Sequence, residues 1–156
     1  MSGASGTGLP SEFDEQPFVK GLGKEFLVEL VPHTAVREYE TGATIHREGD
    51  PAHEFFLIVQ GKVGLEVVSH DRPHLTVLTL GPGEVFGWSW LAPPYRWRVD
   101  ARALKPTRVF VVAGDGLLRA LEAHPADGFQ FLRRLVPVLA QRLDATWLQV
   151  LDVHSP

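Results

Sequence analysis

From Phe86 to Arg102 the chain reads FGWSWLAPPYRWRVDAR. Three of its four tryptophans, Trp88, Trp90 and Trp97, and one of its two tyrosines, Tyr95, lie here, interleaved with Arg96 and Arg98. Indole and phenol rings give a flat apolar surface with a polar edge, the kind of surface that lines or lids a small-molecule cavity. A guanidinium can pair with an anion through two parallel N–H groups, or stack on a neighbouring ring. The chemistry within reach of this stretch is binding of a flat, apolar or anionic molecule. The same tryptophans could instead fill a core with no ligand at all, because a buried indole is normally packing.

Reactive constellations are sparse. The chain has no cysteine, which removes disulfides, thiolate nucleophiles and cysteine–metal centres. Seven histidines are present, but His46 and His53 flank one turn and His70 and His74 another, with no close His-x-His pair of the kind a metal-binding barrel uses. Glu48 and Asp50 enclose Gly49, a turn in which Asp serves local hydrogen bonding rather than acid–base work. Ser89 follows Gly87 but lacks the Gly-x-Ser-x-Gly frame of a strained nucleophile. These patterns predict neither a catalytic residue nor a metal site, and so a protein that is not an enzyme.

The elements that must hold the aromatic stretch are mostly strands. Residues 1–10 carry no apolar anchor and are expected to form a disordered tail. Ser11 can cap a short helical piece, with Phe13 and Phe18 buried, and residues 24–30 carry Phe26, Leu27 and Leu30 at helical spacing. From residue 36 short apolar runs alternate with turn signals: 36–39, 44–46, 54–60, 63–68, 75–80, 99–104 and 108–112, separated by Thr41-Gly42, Glu48-Gly49-Asp50-Pro51, Gly61-Lys62, Asp71-Arg72-Pro73 and Gly81-Pro82-Gly83. Strands of this length and spacing indicate an all-β barrel or sandwich. The last third reads as helix, 117–123 and then about 125–153, with Pro125 in a first turn and Pro137 expected to kink the second helix. The organisation predicted is one domain over residues 11–156, with a barrel at about 36–113 and C-terminal helices over 114–153.

The segment TGATIHREGDPAHEFFLIVQGKVGLEV, with Gly42, Glu48-Gly49-Asp50, Phe55-Phe56-Leu57-Ile58 and Gly61, followed by Leu80, Gly81, Gly83, Phe86 and Gly87, resembles the cyclic nucleotide-binding domain family of catabolite activator-type regulators. The resemblance spans roughly residues 15–153. It implies a mainly β fold with flanking helices, namely a double-stranded β-helix (jelly-roll, cupin-like) barrel with N- and C-terminal helices. It also implies a phosphate cassette, in which a one-turn helix after the glycine presents N–H groups to the cyclic phosphate. A Glu there takes the ribose hydroxyl and an Arg pairs with the phosphate. Aligned to that pattern without gaps, Trp88 stands at the Glu and Trp97 at the Arg. Strand alternation puts Trp97, Val99, Ala101 and Ala103 on one face and Arg96, Arg98, Asp100 and Arg102 on the other. The small apolar set should face the interior, so both neighbouring arginines are expected to point away unless a one-residue bulge re-aims Arg96 or Arg98.

The candidate ligand-binding residues are therefore Phe86, Gly87, Trp88, Ser89, Trp90, Arg96, Trp97 and Arg98. Two readings stay open: a regulatory small-molecule sensor whose ligand is a cyclic nucleotide or another small apolar or aromatic molecule, or a ligand-free interaction and dimerisation module of the same fold. The degenerate cassette weighs against ordinary cyclic AMP or cyclic GMP binding. The apolar stripe through Leu132, Leu135, Leu139, Leu143, Trp147 and Leu151 extends past what one small barrel covers, which predicts a homodimer through residues 132–151. A further protein partner is compatible with it. A net charge of −4, and a chain that ends at Pro156 with no room for a helix-turn-helix, argue against direct DNA binding. The absence of a signal peptide and of any long apolar run predicts no membrane contact and a cytoplasmic protein.

Overall fold

The computed structural model describes residues 12–67 and 75–154. The expected tail at 1–10, the cap at Ser11, and the His70–His74 stretch with its Asp71-Arg72-Pro73 turn lie outside the described residues. Residues 12–14 are helical, and helix α1 (Lys24–Leu30) and a 3-10 turn (Val31–His33) follow. Among the described residues eight strands follow: β1 (Thr34–Tyr39), β2 (Thr44–His46), β3 (Glu54–Gln60), β4 (Val63–Val67), β5 (Leu75–Leu80), β6 (Val85–Phe86), β7 (Asp100–Ala103) and β8 (Thr107–Ala113). A second 3-10 turn (Ser89–Leu91) sits between β6 and β7, and helices α2 (Gly114–Ala123) and α3 (Pro125–His154) close the chain.

The strands form two antiparallel four-stranded sheets, ordered β1-β8-β3-β6 and β2-β7-β4-β5. Strand β3 shows why the run EFFLIVQ is apolar without alternation. Its even-numbered Phe56 and Ile58 fill the space between the sheets, while Phe55 and Leu57 pack outward under the helices. Strand β8 divides likewise, Val109 and Val111 inward and Phe110 and Val112 outward. A strand buried on both faces loses the period-2 signal of a half-exposed one. The outward core is dense in rings: Phe18 meets Phe131 at 5.1 Å and Phe13 meets Phe110 at 5.4 Å, both edge to face.

The β3–β4 hairpin depends on Gly61. Its φ is +107°, and a Cβ there would lie 2.5 Å from the Pro106 carbonyl oxygen and from Thr107 Oγ1. Only glycine combines that backbone with that closeness.

Helix α3 is continuous through Pro137. Phe131 and Leu135 are buried beneath it, Val138 and Leu139 are half-buried against the core, and Arg142 continues the same face. Its N-terminal part is stapled to the start of the chain: the Asp127 carboxylate accepts from the Gly23 N–H at 2.7 Å, and Arg134 donates to the Phe18 carbonyl at 2.8 Å. Helix α3 then runs against β5, which brings it over the mouth of the β2-β7-β4-β5 sheet.

Candidate functional site

A cavity of about 340 Å³ opens between the second sheet, the segment after β6 and the inner face of α3. Leu65, Val77 and Leu78 of β4 and β5 form one wall, and Leu139, Leu143 and Thr146 of α3 form the opposite one. Gly87, Trp88 and Ser89 supply a third side, and His46, Trp97, Arg98 and Val99 a fourth. Arg142 reaches in from α3.

Gly87 takes φ +89°, and a Cβ there would stand 3.2 Å from both the Glu54 carbonyl oxygen and the Trp97 ring. The glycine thus lets the chain leave β6 and lets the indole of Trp97 close onto the turn. Trp97 lies stacked on His46, with ring centroids 3.8 Å apart and planes 6° from parallel. His46 is only 8% exposed, and its Nδ1 is buried with no hydrogen-bond partner among the described residues. Burial lowers its pKa to about 4, with the Val99 backbone and the Asp100 charge opposing, so the imidazole is neutral at physiological pH.

Arg142 is likewise 8% exposed. One of its terminal nitrogens donates to the Val85 carbonyl, and its guanidinium lies 5.6 Å from the Trp88 ring centroid. Its Nη1 is buried without a partner among the described residues. Burial pulls its pKa down to about 10, which still leaves it a cation at neutral pH. Arg98, at the rim, donates to Ser89 Oγ and to the Pro93 carbonyl, each at 3.1 Å.

Of the eight sequence-derived candidates, the fold brings Gly87, Trp88, Ser89, Trp97 and Arg98 to the cavity and keeps three away. Phe86 is stacked on Phe56 at 4.6 Å between the sheets. Trp90 packs against Phe55 beneath the helices, 6.1 Å centroid to centroid. Arg96 is exposed and donates to the Gly49 carbonyl at 2.8 Å. Arg98 departs from the expected alternation because β7 begins only at Asp100, so residues 97–99 are not bound by strand parity. The other cavity residues had not been singled out as binders, and two of them, His46 and Arg142, carry ionisable groups. His46 looked like a turn histidine, although its position at the end of a strand directed it inward. Arg142 had drawn no attention, yet it falls three to four residues in phase with Phe131, Leu135 and Val138.

The site offers a neutral imidazole, two hydroxyls and two guanidinium groups around apolar walls, and among the described residues no carboxylate lines it. Among the described residues no group of three or more His, Cys, Asp or Glu is placed to hold a metal ion, and no helix is long and apolar enough to cross a membrane.

Two antiparallel sheets with helices docked outside, and a cavity between a glycine-led turn and the C-terminal helix, define a β-barrel fold with flanking helices. The family model of the cyclic nucleotide-binding domain matches residues 36–124, more than half of the chain, and the chain belongs to that family. It is 33% identical to glutaminase 1 of Bradyrhizobium diazoefficiens over 85% of its own length and 21% of that enzyme's. It is 24% identical to the CRP-like cAMP-activated global transcriptional regulator of Mycobacterium tuberculosis, over 81% of this chain and 55% of the regulator. The chain thus spans about a fifth of one curated relative and about half of the other. A cyclic nucleotide-binding domain from Methylobacillus flagellatus has the same fold, with a TM-score of 0.79 at 20% identity, covering 97% of this chain and 87% of that one.

Proposed function

We propose that this chain is a regulatory sensing module of the cyclic nucleotide-binding fold whose cavity takes a small ligand other than cyclic AMP or cyclic GMP. The observation that carries this reading is the occupant of the cassette. Trp88 and Trp97, at the positions where the family pattern has the ribose-binding carboxylate and the phosphate-binding guanidinium, both line the cavity, and Trp97 is fixed there by His46. A nucleotide placed in the same way would set its hydroxyls and phosphate against indole and aliphatic carbon, leaving polar groups unpaired. Titration calorimetry tests this directly. Neither cyclic nucleotide should bind at concentrations up to about 1 mM, an affinity of roughly 4 kcal/mol or less. Tight binding of either would overturn the reading.

A second reading is favoured by a separate observation. Helix α3 exposes Leu132, Val136, Trp147 and Leu151, with Leu143, which also lines the cavity, at the edge of this apolar surface. That stripe supports a homodimer through the C-terminal helix, and a dimerisation module with no ligand would need the stripe and not the cavity. A cavity that binds none of a panel of neutral aromatic molecules, in a protein that dimerises, would select this alternative.

A further inference from the structure

Resting on the reading of the cavity as a ligand site, the chemistry of its walls specifies the charge of the occupant. The half-buried arginines of the two sheets meet carboxylates: Arg37 reaches Glu54 at 2.8 Å and Arg102 reaches Glu66 at 2.6 Å. Arg142 is more deeply buried than either, and among the described residues it has no such partner. The carboxylate whose field reaches it is that of Glu84, which is exposed and turned to the Gly81 N–H at 2.8 Å. A guanidinium held in apolar surroundings with one donor unsatisfied is costly. The cost is removed when an anion arrives, because charge-assisted hydrogen bonds in a low-dielectric site are strong.

The second cation, Arg98, stands at the rim with its donors on Ser89 and Pro93 and no carboxylate on either. The cavity is thus positive at the Arg142 end and along one edge, and apolar over Leu65, Val77, Leu78 and Leu139. With one edge of Arg142 already held by Val85, the remaining donor compensates a single negative charge. A dianion would bring its second charge against the apolar walls, because the other cation, Arg98, is exposed at the rim with its donors already on Ser89 and Pro93. At about 340 Å³ the space lies at the small end of ligand cavities, which run from roughly 300 to 1,000 Å³.

We propose that the cavity binds an organic monocarboxylate with a flat or aliphatic body, its carboxylate on Arg142 Nη1 and its body against the Leu65–Val77–Leu78 wall and Trp97. The anion is held by the C-terminal helix and not by the cassette after β6.

The probes are 2-naphthoate and its neutral counterpart of equal size, 2-naphthamide, titrated calorimetrically into the wild-type chain and into Arg142→Met, Arg142→Lys and Arg98→Met. In the wild type the acid should bind at least about ten-fold tighter than the amide, the ratio expected of one charge-assisted hydrogen bond. Arg142→Met should bring the two within about two-fold by weakening the acid alone, Arg142→Lys should keep an intermediate ratio, and Arg98→Met should keep most of it. Circular dichroism melts of all four proteins confirm that each is folded, and Arg142→Lys carries the test if the Met variant is not. Equal affinity for acid and amide in the wild type, or a preference that survives Arg142→Met, overturns the carboxylate assignment while leaving the cavity a ligand site. Binding of neither probe overturns the assignment and the sensing reading together.

Discussion

The indole of Trp97 lies flat on the imidazole of His46, 3.8 Å between centroids and 6° from parallel. Each ring explains the other. Stacking on an indole, with Phe56 and Phe86 about 6 Å away, keeps water from the imidazole, and that dry environment holds it uncharged. The neutral ring in turn gives Trp97 a flat partner at the place where a phosphate-binding guanidinium would otherwise stand. A guanidinium there would face an imidazolium across the same contact as soon as His46 titrated.

The pair makes stability depend on pH. His46 has an ordinary value of 6.5 and a folded value of about 4. Between those values the unfolded chain holds the proton and the folded chain does not, so stability rises with pH across that window and is complete above it. Lowering the pH from about 7.5 to about 5 should cost roughly 2 kcal/mol through this residue, at about 1.4 kcal/mol per pH unit below the unfolded value. Urea denaturation at the two pH values measures it. In His46→Phe that part of the loss should disappear, and an unchanged pH dependence would contradict a buried neutral imidazole.

Gly87→Ala tests the joint between the turn and the stack. The new methyl would meet the Glu54 carbonyl and the Trp97 ring at 3.2 Å with φ at +89°. Strain of this kind costs about 1–3 kcal/mol. The cheapest relief is a shift of the indole, so thermal melting should fall and tryptophan fluorescence should change together. Gly42→Ala, at φ +89° with nothing within 4 Å, supplies the comparison: backbone strain without the ring contact, hence a lower melting point with an unchanged spectrum.

The scaffold could be read from the sequence because local rules agreed there. The dense run at 54–60, the glycine turns at 42, 49, 61 and 83, and Pro125 at a helix start each had one physical interpretation, and the strands at 44–46, 54–60 and 75–80 have those bounds in the structure. Strand β6 has two residues, Val85 and Phe86, too few for any period. Helix α2 starts at Gly114, three residues before the apolar spacing begins at Leu117. The cavity walls were harder for a different reason. Leu132 and Leu135 look equivalent in sequence, yet the first is exposed and the second buried, and only the docking of α3 decides which face turns inward. That same rotation carries Arg142 into the cavity, whereas Phe86, Trp90 and Arg96 are kept from it by their own partners, Phe56, Phe55 and the Gly49 carbonyl.

Two arginines should respond oppositely to removal of charge. Arg102 is bound to Glu66, a carboxylate only 1% exposed, through Nε at 3.1 Å and Nη2 at 2.6 Å. Arg102→Met deprives a buried carboxylate of its guanidinium, which costs about 3–5 kcal/mol. A chemical denaturation midpoint that barely moves would show that the pair contributes little.

Arg142→Met should instead raise the melting temperature. It replaces a buried cation that has no carboxylate partner by an apolar chain of similar length, a change worth about 1–3 kcal/mol in favour of folding. A gain in stability accompanied by loss of acid binding is the signature of a residue kept for its ligand. If the variant is less stable than the wild type, the bond to Val85 outweighs the buried charge, and Arg142 is a structural clamp first.

The outer face of α3 is the last place where burial and composition disagree. Trp147 and Leu151 are 60% and 64% exposed and stand one turn apart, in line with Leu143. Leaving such a stripe in water forgoes about 25 cal/mol for each Å² that a second helix could cover. A helix packed antiparallel or parallel against its own copy covers it symmetrically, which is the commonest way a small domain resolves such a face. Light scattering should therefore give a mass twice the 17.3 kDa of the chain at micromolar concentration. Trp147→Glu and Leu151→Glu, both on exposed positions, should each shift that mass to one chain without lowering the monomer's secondary structure. A wild-type protein that runs as a single chain at these concentrations rejects the homodimer and leaves the stripe for a different partner.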